Sequence, residues 1–236
     1  MQRLRPPTSG RRIEWLVALA PALLAGVVYY YSMSPTVTMY SGAFVTAAYH
    51  FGVPVTPGYP LWTLSGFLWS HFVLPVGNPA WRLSMMSVAA GASLVGVMSL
   101  TIMRSTIWLI EALPWGKSID PRHLQWIAAF GGMSTALMFG FDRVVWQWTC
   151  VPGPQALYTL LYFLAVASFL VWIREPQRHR HLYAVVLFIS LTISTADLNA
   201  WQVTAVMAFP FFVGILALRM ENSARYRRQG TSGAQP

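Results

Sequence analysis

Carboxylates are scarce enough in this chain to be taken one by one. Seven Asp and Glu stand among 236 residues, and five of them, Glu14, Glu111, Asp120, Glu175 and Glu221, read as loop or snorkelling residues near Arg and Lys. The other two are Asp142, beside Arg143, and Asp197. Together with Arg82 they suggest a definite chemistry, in which an arginine holds a phosphate through its forked N–H donors and an acid accepts a proton from an attacking hydroxyl. The same residues have a structural alternative, in which the acids close helix ends or pair with Arg82 and Arg143. The sequence leaves both open.

Histidine and cysteine narrow the chemistry further. His123, His179 and His181 lie in short polar stretches, while His50 and His71 lie in a long apolar connection. None of the six apolar runs described below carries a His, which argues against a transmembrane haem pair, and no ligand spacing points to a metal. The single Cys150 has no partner for an intrachain disulfide. No Asp, Glu, Lys or Arg stands mid-run, so an ion or proton path lacks its usual residues. No cofactor is expected.

The elements that must position these groups are set by composition. The chain is 56% hydrophobic and 10% charged, with a mean hydropathy of +0.49. A soluble globule averages roughly 25% charged residues, so a water-exposed surface of ordinary polarity is ruled out, as is disorder. The net charge of +9 does not indicate nucleic acid, because no basic stretch carries the aromatic or glycine patterns of such binders. Apolar runs lie at about 15–31, 83–103, 124–141, 155–173, 182–196 and 201–218. The basic head before the first, and the absence of a small-residue cleavage site before Tyr29-Tyr30-Tyr31, favour an uncleaved anchor.

A seventh stretch, 61–76, is apolar but broken by Thr63, Gly66, Ser70, His71 and Pro75. If it does not cross, 14 of the 16 Lys and Arg fall on one side and only Arg82 and Arg143 on the other; if it crosses, the split becomes 6 against 10. The positive-inside rule selects the first arrangement. The expectation is therefore an all-α integral membrane protein of six transmembrane helices with both termini cytoplasmic, in a bacterial cytoplasmic membrane. A basic N-terminus (1–12) and a basic tail (219–236) flank a polytopic membrane domain (13–218), whose long external loop (32–82) contains an interfacial helix. That loop has no charge before Arg82 but many aromatic residues, among them Tyr40, Phe44, Trp62 and Trp69. Charge-poor aromatic surfaces suit contact with other integral membrane subunits, and an aromatic belt among headgroups is the alternative.

Parts of the chain carry recognisable motifs. They are Pro35-Thr36-Val37, Gly42 and Phe44, the run Ala47-Ala48-Tyr49-His50-Phe51-Gly52-Val53, then Pro57-Gly58-Tyr59-Pro60-Leu61-Trp62, and finally Asn78-Pro79-Ala80-Trp81-Arg82-Leu83-Ser84. In these the chain resembles the DUF2723 family, membrane proteins related to the protein O-mannosyltransferase-like branch of the GT-C glycosyltransferases. A weaker likeness continues through 146–157 and 194–199. The resemblance implies a GT-C-like fold, in which the first external loop presents an acid to a polyprenyl-phosphate-linked sugar.

The departures from the family pattern matter as much. Where the family has W-D-x-G-E-[FL], this chain reads Met39-Tyr40-Ser41-Gly42-Ala43-Phe44, lacking the Asp and holding Ala43 at the Glu position. The family His falls on Val55, and the acids near the fourth run fall on Val151 and Gly153. The loop-shaping glycines and prolines remain while the ionisable groups are neutral. General-base catalysis supplies about 10²–10⁴-fold, and neither Ala nor Ser replaces it. A length of six spans, fewer than such enzymes generally have, points the same way. The expectation is a catalytically inactive, GT-C-like structural or accessory subunit of a membrane complex. The rival is a glycosyltransferase moving sugar from a polyprenyl phosphate to an external acceptor, with Asp142 or Asp197 as base and Arg82 or Arg143 on the phosphate.

Overall fold

The computed structural model describes residues 8–38, 41–55, 58–175 and 177–195. Among these there are helices and no strand. Helix α1 is Thr8–Ser32, α2 is Gly42–His50, and α3 is Pro60–Leu68, running on into one π-helical turn at Trp69–Val73. The long α4 is Pro79–Ala112, followed by a 3-10 turn at Pro114–Ser118. Then come α5 (Pro121–Gly140), α6 (Arg143–Thr149), α7 (Gln155–Arg174) and α8 (His179–Thr195).

Helix starts follow the local chemistry closely. Asn78 takes the Trp81 amide N–H on its side chain at 2.8 Å, with Pro79 at the first helical position, so α4 begins there. Asp142 takes the Val144 N–H at 2.9 Å and opens α6, which leaves α5 at a bend of 70°. Between α2 and α3 the chain reverses through two non-glycine residues in the left-handed region, Phe51 (φ 54°) and Tyr59 (φ 45°). Such backbone persists only where its surroundings hold it, and the Tyr59 ring is buried, edge-on to Phe44 at 5.1 Å.

Helix α4 is the hub, packed by α1, α5 and α7. Its small residues let neighbours approach closely. A Cβ at Gly96 would lie 2.6 Å from the Ala18 carbonyl oxygen of α1, and one at Gly132 of α5 would lie 2.7 Å from the Ser99 carbonyl oxygen. Gly131, in contrast, faces open space. The Tyr29 hydroxyl crosses from α1 to donate to the Gly140 carbonyl at 2.6 Å. Around it Ala25, Met33, Val88, Val95, Ala136 and Cys150 form the main apolar cluster.

Two contacts fix how α1 and α4 run. At one end the Arg104 guanidinium reaches the Glu14 carboxylate at 2.7 Å, and at the other the Ser84 hydroxyl donates to the Ser34 carbonyl at 2.8 Å. The helices are thus antiparallel. Between these markers each advances 20 residues, a rise of about 30 Å, which is the thickness of a bilayer's hydrocarbon core. The connection 33–78 therefore leaves and returns at the same end, where the Asn78 side-chain amide also donates to the Pro35 carbonyl at 3.1 Å.

Three helices, over Arg12–Ser32, Pro79–Ala112 and Gln155–Arg174, are long and apolar enough to cross a membrane, and α5 with α6 makes a fourth if the bent pair is one span. These mark a multi-pass membrane protein. The run at 182–196 corresponds to α8, whose described part has 17 residues, and the run at 201–218 lies outside the described residues, so the described residues display three or four spans where the sequence predicts six. The stretch 61–76 forms α3 and the π turn, which bury Trp62, Thr63, Gly66 and Ser70 and leave Leu64, Leu68, Phe72 and Val73 exposed. It packs on α2 and α4.

Candidate functional site

Among the described residues, those picked out for chemistry, Asp142, Arg143 and Arg82, do not gather. Asp142 is exposed and spends a carboxylate oxygen on the first turn of α6. Arg143, next to it, is exposed as well. Among the described residues neither arginine forms an ion pair with Asp142. Arg82 is committed elsewhere: its Nη1 donates to the Ser70 carbonyl at 2.9 Å, its Nη2 to Gly77 at 2.8 Å, and its Nε to Gly77 at 3.0 Å and Val76 at 3.3 Å. It ties the segment after α3 to the start of α4. Asp197 and Tyr40 lie outside the described residues.

The aromatic residues of the 33–78 connection are mostly turned inward among those described. Trp62 is fully buried beside Tyr59 and Met86, and its indole Nε1–H has no acceptor among the described residues. Trp69 is half-buried and donates its Nε1–H to the Arg82 carbonyl at 2.9 Å. His71 lies between the rings of Tyr49 and Phe67, at 4.8 and 4.3 Å between centroids, with Nδ1 on the Phe67 carbonyl at 3.0 Å. These rings hold α2, α3 and α4 together, while Phe51 and Phe72 are the exposed ones.

A different group of residues does converge. A cleft of about 320 Å³ opens between the stretch before α2 and the α6–α7 junction, lined by Thr38, Ser41 and Phe44 on one side and Gln147, Trp148, Val151, Pro152, Gly153 and Gln155 on the other. Its elements are held by backbone contacts across the fold, since the Ser34 N–H donates to the Cys150 carbonyl at 2.8 Å. Ser41 is buried and accepts from both the Thr38 amide and hydroxyl at 2.9 Å. Phe44, one of the rings named from sequence, forms part of the wall. Among the described residues every lining side chain is neutral. The cleft can offer hydroxyl and amide hydrogen bonds and the half-exposed face of Trp148, but no carboxylate or imidazole.

Ser41, Val151 and Gly153 were each singled out in the sequence, 112 residues apart at the extremes, and the fold sets Ser41 on one wall of the cleft and Val151 and Gly153 on the wall facing it. Gln147, Gln155 and Thr38 were missed. The signal for the two glutamines was present, as polar amides flanking positions 151 and 153 in an otherwise apolar stretch. Cys150, behind this wall, is buried, and burial pushes its thiol up to about 11.

A sequence profile of the protein O-mannosyl-transferase TMEM260 N-terminal domain matches residues 41–223. The chain is 29% identical over 127 residues to the protein O-mannosyl-transferase TMEM260 of Mus musculus, a stretch covering 54% of this chain and 15% of that protein. It is 28% identical over 146 residues to the protein O-mannosyl-transferase tmem260 of Dictyostelium discoideum, covering 59% and 15%. The match thus spans a small part of the length of either relative. No solved structure matches the chain. With its apolar helices and a profile match over most of its length, the chain is a glycosyltransferase-like membrane protein and belongs to the family of the protein O-mannosyl-transferase TMEM260 N-terminal domain.

Proposed function

We propose that this protein keeps the architecture of a membrane O-mannosyl-transferase without transferring sugar by itself, and acts as a structural or accessory subunit of a membrane complex. One observation carries the reading: among the described residues, the cleft at Ser41, Val151 and Gly153 is lined by neutral side chains alone. Transfer to a hydroxyl needs a group that accepts its proton, and hydroxyls and amides are too weakly basic to do so near neutral pH. Hydroxyls, amides and a Trp face do suit a neutral sugar or peptide segment, so the cleft can bind where it does not react.

The finer placement follows the charge distribution. The membrane domain (13–218) has its basic ends (1–12 and 219–236) on the cytoplasmic side of a bacterial membrane, α3 lies at the outer interface, and the partners are lipids and other integral membrane subunits. No metal or cofactor takes part. The two relatives, both eukaryotic and both named as O-mannosyl-transferases, favour a second reading, an active enzyme, for which the family resemblance supplies a polyprenyl-phosphate sugar as donor. In that case Asp197 is the stronger candidate base, because Asp142 is occupied as a helix cap.

The test is a transfer assay on the purified chain with a labelled polyprenyl-phosphate mannose and a Ser/Thr peptide acceptor. The expected result is no transfer above the protein-free blank in the parent, Asp142→Asn and Asp197→Asn forms alike. Turnover by the parent that falls about 10²-fold or more in a well-folded Asp197→Asn form would establish the enzyme instead.

A further inference from the structure

The fold contains a second cleft, far from Ser41 and of different character. Helices α4 and α7 run parallel and separate towards the Arg104 end, leaving an apolar groove of about 230 Å³ walled by Val97, Leu100, Leu164, Ala167 and Leu170. A neighbouring groove of about 310 Å³ shares Thr101, Ser105 and Leu170 with it, so the gap between the helices opens on more than one side. Two guanidiniums, of Arg104 and Arg174, stand at the rim of the first groove.

Their level is set by the α1–α4 register. Arg104 is 20 residues, about 30 Å, from the Ser84 marker at the opposite end. Arg174 closes the last turn of α7. Both charges therefore sit at the depth of one headgroup layer, with the apolar groove running from them towards the bilayer centre. Arg104 is half-satisfied by Glu14. Arg174 has its guanidinium carbon 5.8 Å from the centre of the Trp108 ring, and no carboxylate among the described residues pairs with it: the adjacent Glu175 is taken by Arg178 at 2.8 Å. The two arginines against Glu14 leave one net positive charge over a chain-width apolar slot.

We propose that this groove is a site for an anionic phospholipid, with an acyl chain between α4 and α7 and the headgroup phosphate on Arg174 and Arg104. Charge complementarity selects the occupant. A zwitterionic lipid brings its own cation to a rim that already has one in excess, and an apolar helix from another protein leaves Arg174 without an anion. An acyl chain supplies apolar contact for every CH₂ it buries, while the phosphate supplies a partner for guanidinium N–H groups at the boundary where lipid phosphates lie. The site is independent of whether the Ser41 cleft is catalytic.

The experiment uses the full chain purified in a neutral detergent and stripped of lipid. Thermal shift and native mass spectrometry follow the addition of phosphatidylglycerol, of phosphatidylcholine with the same acyl chains, and of inorganic phosphate. The expected outcome is retention and stabilisation by phosphatidylglycerol alone, with Arg174→Gln weakening its binding about 5-fold, the loss expected of one arginine at an anionic lipid surface. Ala167→Phe, which fills the groove and leaves both arginines, should also lower it. The Arg122→Gln form, which loses an exposed charge outside the groove, should bind like the parent. If Arg174→Gln does not fold, Arg174→Lys substitutes, with binding kept above that of Ala167→Phe. Equal stabilisation by the two lipids, an equal shift with inorganic phosphate, or unchanged binding by the Arg174→Gln or Ala167→Phe form would each overturn the proposal, as would Arg174→Lys binding no better than Ala167→Phe.

Discussion

Replacing Arg82 separates a phosphate-binding arginine from a structural one. Its side chain makes one partly buried hydrogen bond, to the Ser70 carbonyl, and three solvent-exposed ones, to Val76 and Gly77. A bond from a charged donor contributes about 1.5–3 kcal/mol when shielded, and the exposed ones compete with water, adding about 1 kcal/mol together. Arg82→Ala should therefore cost about 3 kcal/mol, felt first in the segment 70–77 that these bonds pin to α4. For a chain of this size that corresponds to roughly 6–12 °C in Tm if unfolding is cooperative. Arg82→Lys should lose most of it, because an ammonium cannot span carbonyls on both sides with the fixed fork of a guanidinium. The assay is thermal unfolding in detergent together with hydrogen exchange of the 70–77 amides. If both variants unfold within about 1 °C of the parent with unchanged exchange, the staple is not what Arg82 is for. A Lys form that keeps lipid-phosphate binding while the Ala form loses it, at equal stability, would restore the phosphate role.

Two further outcomes are expected. Gly96→Val places a Cβ 2.6 Å from the Ala18 backbone oxygen and must push α1 from α4, lowering stability by about 2 kcal/mol or more, whereas Gly131→Ala meets nothing within 4 Å and should gain about 0.5–1 kcal/mol from helix propensity; thermal unfolding of the pair checks both. Cys150, buried with its thiol held up to about 11, carries little thiolate below that pH and should resist maleimide in the folded protein and react on denaturation. Fast labelling of the native chain at pH 7 would contradict the packing of α1 against the α6–α7 junction.

What the sequence determines by itself is local or additive. Hydropathy sums over about 20 residues, so the runs at 15–31, 83–103, 124–141 and 155–173 coincide with α1, α4, α5 and α7. Capping depends on neighbours two or three positions away, so Asn78-Pro79 and Asp142 open helices as their types suggest. The antiparallel register of α1 and α4, in contrast, which brings the 33–78 connection back to its starting end, is set by contacts far apart in sequence. Chemistry that depends on what meets what was not legible. Arg82 looked like a phosphate ligand because nothing in sequence shows that the carbonyls of Ser70, Val76 and Gly77 turn towards it. Trp62 looked like surface because a charge-poor loop reads the same whether its rings face a partner or the chain's own α2 and α4. The cleft exists only because contacts such as Ser34 to Cys150 bring residues over a hundred positions apart to face each other across it. A pattern along one dimension records the preference of each segment for lipid or water, whereas the choice of partner for a hydrogen bond or a ring is made by the packing of whole helices, and that is a property of the assembled fold.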